Sequence, residues 1–154
     1  MTIGTPAPPL LLLVGVRAID PSANVDGEVD IVVESGVITR IGPAAATDEL
    51  RSVPGARILS GRHLLVTPAF VDLHAHLREP GQEYKEDIFS GLSAAARGGF
   101  AHVCAMPNTR PINDNRAITE AIVARARALE GPALHPIGAR ARATMASVMA
   151  RLSP

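Results

Sequence analysis

Between Glu28 and Gly42 the chain reads EVDIVVESGVITRIG, apolar at Val29, Ile31 and Val33 and again at Val37, Ile38 and Ile41. Alternation with a period of two marks a strand with one covered face, and Glu34-Ser35-Gly36 between the runs supplies a turn. The stretch therefore predicts a β-hairpin with glycine at its turn. Leu10 to Val16 and Arg57 to Val66 are further apolar runs of strand length, on either side of it. The run at Leu10 is too short to cross a bilayer, and no basic residue precedes it as in a signal peptide.

After Val66 the rhythm changes. Thr67-Pro68 opens a second portion, and a proline at a strand's first residue withholds only an N–H that the ladder does not need. Phe70 to Leu77 then reads as a strand. Glu86 to Arg97 places Phe89, Leu92 and Ala96 at spacings of three and four, with Ile88 and Ala95 alongside, and Gly98-Gly99 stops it; this predicts a helix. Phe100 to Met106 is the next strand. Asn113 to Glu130 is the next helix, capped by Asn113, Asp114 or Asn115, with Ile118, Ala121, Ile122 and Leu129 inward and Arg125 and Arg127 on a solvated face. Ala133 to Gly138 is a third short strand. Strand–helix–strand–helix–strand predicts an α/β portion with parallel strands and right-handed crossovers.

The organisation expected is a Pro-rich disordered tail over 1–9, an all-strand module over 10–66, an alternating α/β portion over 67–138, and a tail over 139–154. In that last tail Met145, Val148, Met149 and Leu152 fall in a helical stripe. Formal net charge is zero, which gives no electrostatic reason for nucleic acid or an acidic membrane as partner. Aromatics are only 3% against 47% hydrophobic residues, so the core has to be built from Ala, Val, Leu and Ile. The single cysteine, Cys104, excludes an intrachain disulfide, and its apolar strand setting predicts a small buried thiol, in keeping with a reducing cytoplasm.

The candidate chemistry lies in Val71 to Gly81, VDLHAHLREPG. Residues i and i+2 of a strand share a face, so His74 and His76 project together, with Asp72 before them and Arg78 after them in the same parity. Two neutral imidazoles can ligate one divalent metal, and a guanidinium matches a carboxylate in two-point geometry. On spacing alone, packing or a surface pair remains an open alternative for His-x-His, and a simple turn for Pro107-Asn108-Thr109.

VTPAFVDLHAHLREPGQEYKED, followed by GGFAHVCAMPNTRPINDN, resembles the class I bacterial dihydroorotases of the amidohydrolase superfamily, over about Asp30 to Ala139. The resemblance implies an α/β fold: the first three βα units of a metal-dependent-hydrolase TIM barrel, preceded by part of a small β-sandwich. It implies a zinc cyclic amidohydrolase, with two zinc ions per site in the complete enzyme. The reaction would be reversible hydrolysis of dihydroorotate to N-carbamoyl-aspartate, in de novo pyrimidine synthesis. His74 and His76 match ligands of one metal, Arg78 and Asn108 match residues that hold the substrate carboxylate, His76 also lines the substrate site, and Asp72 stands behind the ligands. His102 matches no family position and reads as packing or surface, and His135 matches a family position before Pro-Ile-Gly that is not assigned to metal. Where the family has Gly after the Thr-Pro pair, this chain has Ala69.

The family's bridging carboxylate, its further histidines and its proton-shuttling Asp find no match in this sequence, and from Arg140 the likeness ends. A βα barrel takes eight units and about 250 residues. The resemblance thus implies an N-terminal enzyme portion, through truncation, a frame change near Arg140 or fragmentation, inactive alone. The alternative is a non-catalytic dihydroorotase-like subunit that scaffolds aspartate carbamoyltransferase. Partners expected are a small-molecule substrate and either further copies of the chain or that transferase.

Overall fold

The computed structural model describes residues 8–139. The tail expected to be disordered, apart from its last two residues, and the tail expected to be helical, apart from Ala139, lie outside the described residues. The chain separates into two compact units, with the boundary between Pro68 and Ala69.

The first unit holds β1 (Leu10–Asp20), β2 (Val25–Glu34), β3 (Val37–Gly42), a short α1 (Asp48–Arg51), β4 (Arg57–Ser60) and β5 (Leu65–Val66). They form one sheet in the order β3-β2-β1-β4, with β5 also on β1. The hairpin of β2 and β3 turns at Ser35 and Gly36, with φ of 50° and 80°, so both turn residues are left-handed as a tight two-residue hairpin requires. β1 runs past Val16, where Ala18 is buried on the same face as Val16 and β5 pairs alongside; on the exposed face Arg17 reaches across to Asp26 on β2, Nε to Oδ1 3.0 Å. Leu10, Leu12, Val32 and Ala46 form the core of this unit. Asp30 is buried beside them; its carboxylate accepts from Gly15 N at 2.9 Å and Ala46 N at 3.3 Å, which offsets the cost of taking it out of water.

The second unit holds β6 (Phe70–Ala75), α2 (Ile88–Arg97), β7 (Phe100–Ala105), α3 (Arg116–Arg127) and β8 (Ala133–Pro136). The three strands are parallel, in the order β6-β7-β8. Leu77, Ile88, Leu92, Val103, Ala105, Ile122, Ala126, Leu129 and Leu134 make one core between this sheet and its two helices. Ala96 and Ala121, predicted inward, are exposed; the buried stripes run Ile88-Leu92 and Ile122-Ala126 instead. Cys104, predicted buried, is half-buried because its strand neighbours Val103 and Ala105 take the helix-covered face. Among the described residues no helix is long and apolar enough to cross a membrane.

Both helices start later than their periodicity predicts, because the polar residues before them serve as caps. Asp87 caps α2 by accepting from Ser90 N at 2.7 Å, and Ser90 Oγ returns to Asp87 N, a reciprocal capping box. Asn115 caps α3 through Ile118 N. Asn113 does a different job. Wholly buried, it donates from Nδ2 to Ile137 O at 3.0 Å and accepts from Thr119 Oγ1 at 2.7 Å. Its backbone N–H donates to Pro107 O and its carbonyl accepts from Ala139 N. One residue so joins the end of β7, helix α3 and the end of β8.

Replacing Asn113→Ala removes two part-buried side-chain hydrogen bonds and a wholly buried side chain, and is expected to cost about 2 kcal/mol of unfolding free energy in urea melts. A loss below about 0.5 kcal/mol would contradict the hub assignment. Asp87→Ala is expected to cost about 1 kcal/mol at pH 7. The Ser90 N–H, then its hydroxyl, hold the Asp87 carboxyl below the ordinary carboxylate value. A depressed folded pKa stabilises above the unfolded value of about 3.9 and loses that contribution as pH falls through the folded one. Melts at descending pH should therefore show the gap between the two proteins narrowing below about pH 4.

Candidate active site at the ends of the first two parallel strands

Ala75 pairs with Ala105 across β6 and β7, and Met106 N donates to Ala75 O at 2.8 Å. Both strands therefore leave the sheet at one level, and the segments that follow them run out side by side. Ala75 and Leu77 lean into the core beneath the helices. By alternation His74 and His76 leave on the other face, and their rings stand edge to face with centroids 5.1 Å apart. Both are exposed.

His76 Nδ1 lies 2.8 Å from Asn108 Oδ1. An amide oxygen only accepts, so in this orientation of Asn108 the Nδ1 carries the proton, and Nε2 keeps a free lone pair. The same bond leaves the two N–H groups of Asn108 Nδ2 for another acceptor. Asp72 is used differently from its parity. The register shifts between Asp72 and Ala75, three steps on β6 matching two on β7, which is a bulge. Alternation does not carry unbroken from Asp72 to His76, and the Asp72 carboxylate accepts from His74 N at 2.9 Å.

Arg78 also departs from strand geometry. Its φ is +62°, a left-handed conformation that costs an L-residue roughly 1–3 kcal/mol and survives only where neighbours enforce it. Those neighbours are Glu79, Pro80, Gly81 and Gln82. Gln82 N donates to Arg78 O at 3.1 Å, and Arg110 N donates to Pro80 O at 2.8 Å. Gln82 Nε2 reaches Asn108 O at 3.3 Å. Gly81 has φ +92°, and a Cβ there would collide with the Arg110 carbonyl, so only glycine lets the two loops close on each other. Glu79 anchors the loop from below, accepting from Ile88 N at 2.8 Å at the start of α2 and from Arg125 Nε at 3.3 Å on α3. Arg125 is exposed, as expected of a solvated face, and from there it also reaches the loop. Among the described residues the Arg78 guanidinium is engaged in no hydrogen bond or ion pair, and it is half-buried.

The structure brings His74, His76 and Asn108 together and sets Arg78 on a loop bonded to that of Asn108. Glu79 and Gln82 are positioning residues that periodicity alone misses. An acidic side chain upstream of a helix start is the one available signal for Glu79, and nothing local signals Gln82. Among the described residues, no three or more His, Cys, Asp or Glu side chains converge as a metal-ligand group.

Residues 62–139 match the family model described as Dihydro-orotase-like. The dihydroorotase of Geobacter metallireducens is 45% identical over 128 residues, 83% of this chain and 29% of that protein. The dihydroorotase of Anaeromyxobacter dehalogenans (strain 2CP-C) is 46% identical over 130 residues, 84% of this chain and 29% of that protein. The chain spans less than a third of the length of these curated relatives. Among solved structures, L-hydantoinase (dihydropyrimidinase) from Arthrobacter aurescens matches 92% of this chain and 30% of its own, with a TM-score of 0.72 at 18% identity. A dihydroorotase crystal structure matches 84% of this chain and 30% of its own, with a TM-score of 0.52 at 17% identity. These structural likenesses establish the fold: the opening strands and helices of an amidohydrolase barrel, preceded by part of its accompanying β module. The two loops that close on each other, LREPG from Leu77 and MPNT from Met106, both fall inside the matched span, and the chain belongs to the dihydroorotase-like family.

Proposed function

We propose that this chain carries the substrate-carboxylate grip and one pair of metal ligands of a dihydroorotase, acting on dihydroorotate and N-carbamoyl-aspartate in pyrimidine synthesis. The observation that carries the reading is the His76–Asn108 hydrogen bond. A ligating histidine characteristically gives its second ring N–H to an acceptor, which fixes the tautomer and aims the other nitrogen. Here that acceptor is the very amide whose remaining N–H groups would hold the substrate.

His74 and His76 fit a divalent ion such as zinc: two imidazoles on one face, with His76 Nε2 free to bind. When bound, such an ion would polarise the ring carbonyl and make water a better nucleophile. Asp72 sets His74 through its backbone amide. The Arg78 guanidinium and Asn108 Nδ2 supply donors for the carboxylate of the ring, and the strained loop fixes where Arg78 stands. Holding that carboxylate fixes the ring's orientation and so contributes through positioning. None of these residues is assigned the proton delivered to the departing ring nitrogen.

With two histidines and no third converging ligand among the described residues, the 154-residue chain alone is expected to open no dihydroorotate. Incubating the purified chain with zinc and dihydroorotate, and following N-carbamoyl-aspartate by chromatography, checks this; zinc-dependent product would overturn it. Zinc should still bind. In equilibrium dialysis His74→Ala and His76→Ala are each expected to weaken it roughly tenfold or more, and Asn108→Ala to weaken it through the lost orientation of His76. Unchanged zinc affinity in both histidine variants would remove the metal from the proposal.

A further inference from the structure

The loop between β6 and α2 is rich in acids, yet its arginine stands without a partner. Residues 78–87 carry the carboxylates of Glu79, Glu83, Glu86 and Asp87 beside the cations Arg78 and Lys85. Among the described residues none of these carboxylates is bonded to the Arg78 guanidinium. Each is occupied elsewhere, chiefly by backbone donors. Glu83 Oε1 accepts from Gly81 N at 2.7 Å, and Asp87 Oδ1 accepts from Ser90 N at 2.7 Å. Glu86 Oε1 accepts from Asp87 N at 3.2 Å and meets Ser90 Oγ. Glu79 alone among them is held by a cation as well: Oε2 accepts from Ile88 N at 2.8 Å, while Oε1 accepts from Arg125 Nε at 3.3 Å.

Glu79 is also the carboxylate nearest to Arg78 along the chain, one peptide bond away. Glu79 N donates to Leu77 O at 2.7 Å, which folds the chain into a three-residue turn with Arg78 at its apex. Opposite charges on such neighbours attract more strongly where water is partly excluded, and the Glu79 side chain is only 19% exposed. An arginine paired with its own neighbour has to give up that pair before it meets the carboxylate of a ligand. Its apparent affinity then falls by the fraction of time the guanidinium is open.

We infer that Arg125 is a positioning residue: it competes with Arg78 for the Glu79 carboxylate and so keeps the Arg78 guanidinium open for the carboxylate of the substrate. The inference rests on the carboxylate grip proposed above for Arg78 and Asn108. The role differs from plain anchoring of the loop. Ile88 N can be satisfied by a carboxylate or an amide oxygen at position 79, so the anchor survives removal of the charge, whereas the competition depends on the charge. Glu79→Gln therefore separates the two.

The test compares the unmodified 154-residue chain with Arg125→Ala, Glu79→Gln and Arg125→Ala/Glu79→Gln. Arg125 is exposed on α3 and alanine is the best helix former, so the first substitution leaves the helix intact. The first readout needs no ligand: exchange of the Arg78 Nε proton with water, followed by nuclear magnetic resonance. It should slow severalfold in Arg125→Ala, as Glu79 turns to Arg78, and return to the unmodified rate in the double variant. Glu79→Gln alone and Arg125→Lys should both stay near the unmodified rate. An unchanged rate in Arg125→Ala, or a slowing that persists in the double variant, would overturn the inference. The second readout is dihydroorotate affinity in the presence of zinc, expected to weaken roughly threefold or more in Arg125→Ala and to recover in the double variant. A loss in Arg78→Ala with none in Arg125→Ala defeats the inference about Arg125 alone. No loss in Arg78→Ala defeats the carboxylate grip itself, and the proton exchange still decides whether Arg125 holds Glu79 off Arg78.

Discussion

The parallel pairing of β6 with β7 is the constraint on which the candidate site depends. Ala75 opposite Ala105 brings two strand ends to the same height, and what each carries next is thereby placed side by side. Parallel strands cannot be joined by a tight turn; the chain has to cross over, and the crossover helix covers one face of the sheet. Here α2 is that cover, with Ile88 and Leu92 set against Leu77, Val103 and Ala105. Once one face is sealed by aliphatic side chains, the polar residues of the strand ends have only the other face and the loops to occupy. The core chooses the side on which the chemistry stands.

Arg78 shows what holds such a loop in place. Its left-handed backbone is unfavourable in isolation. It persists because Glu79 ties the following residue to the start of α2 and to α3, and because the loop after it is hydrogen-bonded to the loop after β7. The strain is local, whereas the bonds that offset it come from three different elements. A backbone held this way fixes where the Arg78 side chain begins, while the guanidinium keeps rotamer freedom that it would lose on meeting a carboxylate.

Most elements of both units were legible because their apolar positions repeat with the period of the structure they adopt, but the run from Arg57 to Val66, expected as one strand, is broken into β4 and β5 by a turn at Gly61 to Leu64, and α1 was not foreseen. The hairpin of β2 and β3 alternates, and the stripes of α2 and α3 return every three or four residues. What escaped periodicity was decided by polar side chains acting at a distance. Pairing with β5, distant in sequence, accompanies the longer β1, and the caps Asp87 and Asn115 shortened both helices. Arg125 does stand on an exposed face, but its bond to Glu79 was not readable, because that partner lies far away in sequence and comes near only once the sheet has formed. In the site, the two-residue spacing of His74 and His76 was readable, since the stretch beside Ala75 keeps its alternation. Extending the same parity to Asp72 and Arg78 failed to foresee the bulge on one side and the left-handed residue on the other. Both are backbone irregularities that no side-chain pattern announces.

In the proposed function, the hydrogen bond between His76 and Asn108 would link two jobs that could have been independent. One end of the Asn108 amide fixes the proton on His76 and so decides which imidazole nitrogen is left to bind a metal. The other end presents donors where a carboxylate would be held. Any movement of the loop after β7 would therefore act on both together, and that loop is in turn hydrogen-bonded to Pro80 and Gln82, beside Arg78. On that proposal, carboxylate recognition and metal ligation would be parts of one piece, formed by two strand ends and the two loops that close between them. It explains why the residues that matter most for the site include several, such as Glu79 and Gly81, whose side chains or backbones only hold the loops together.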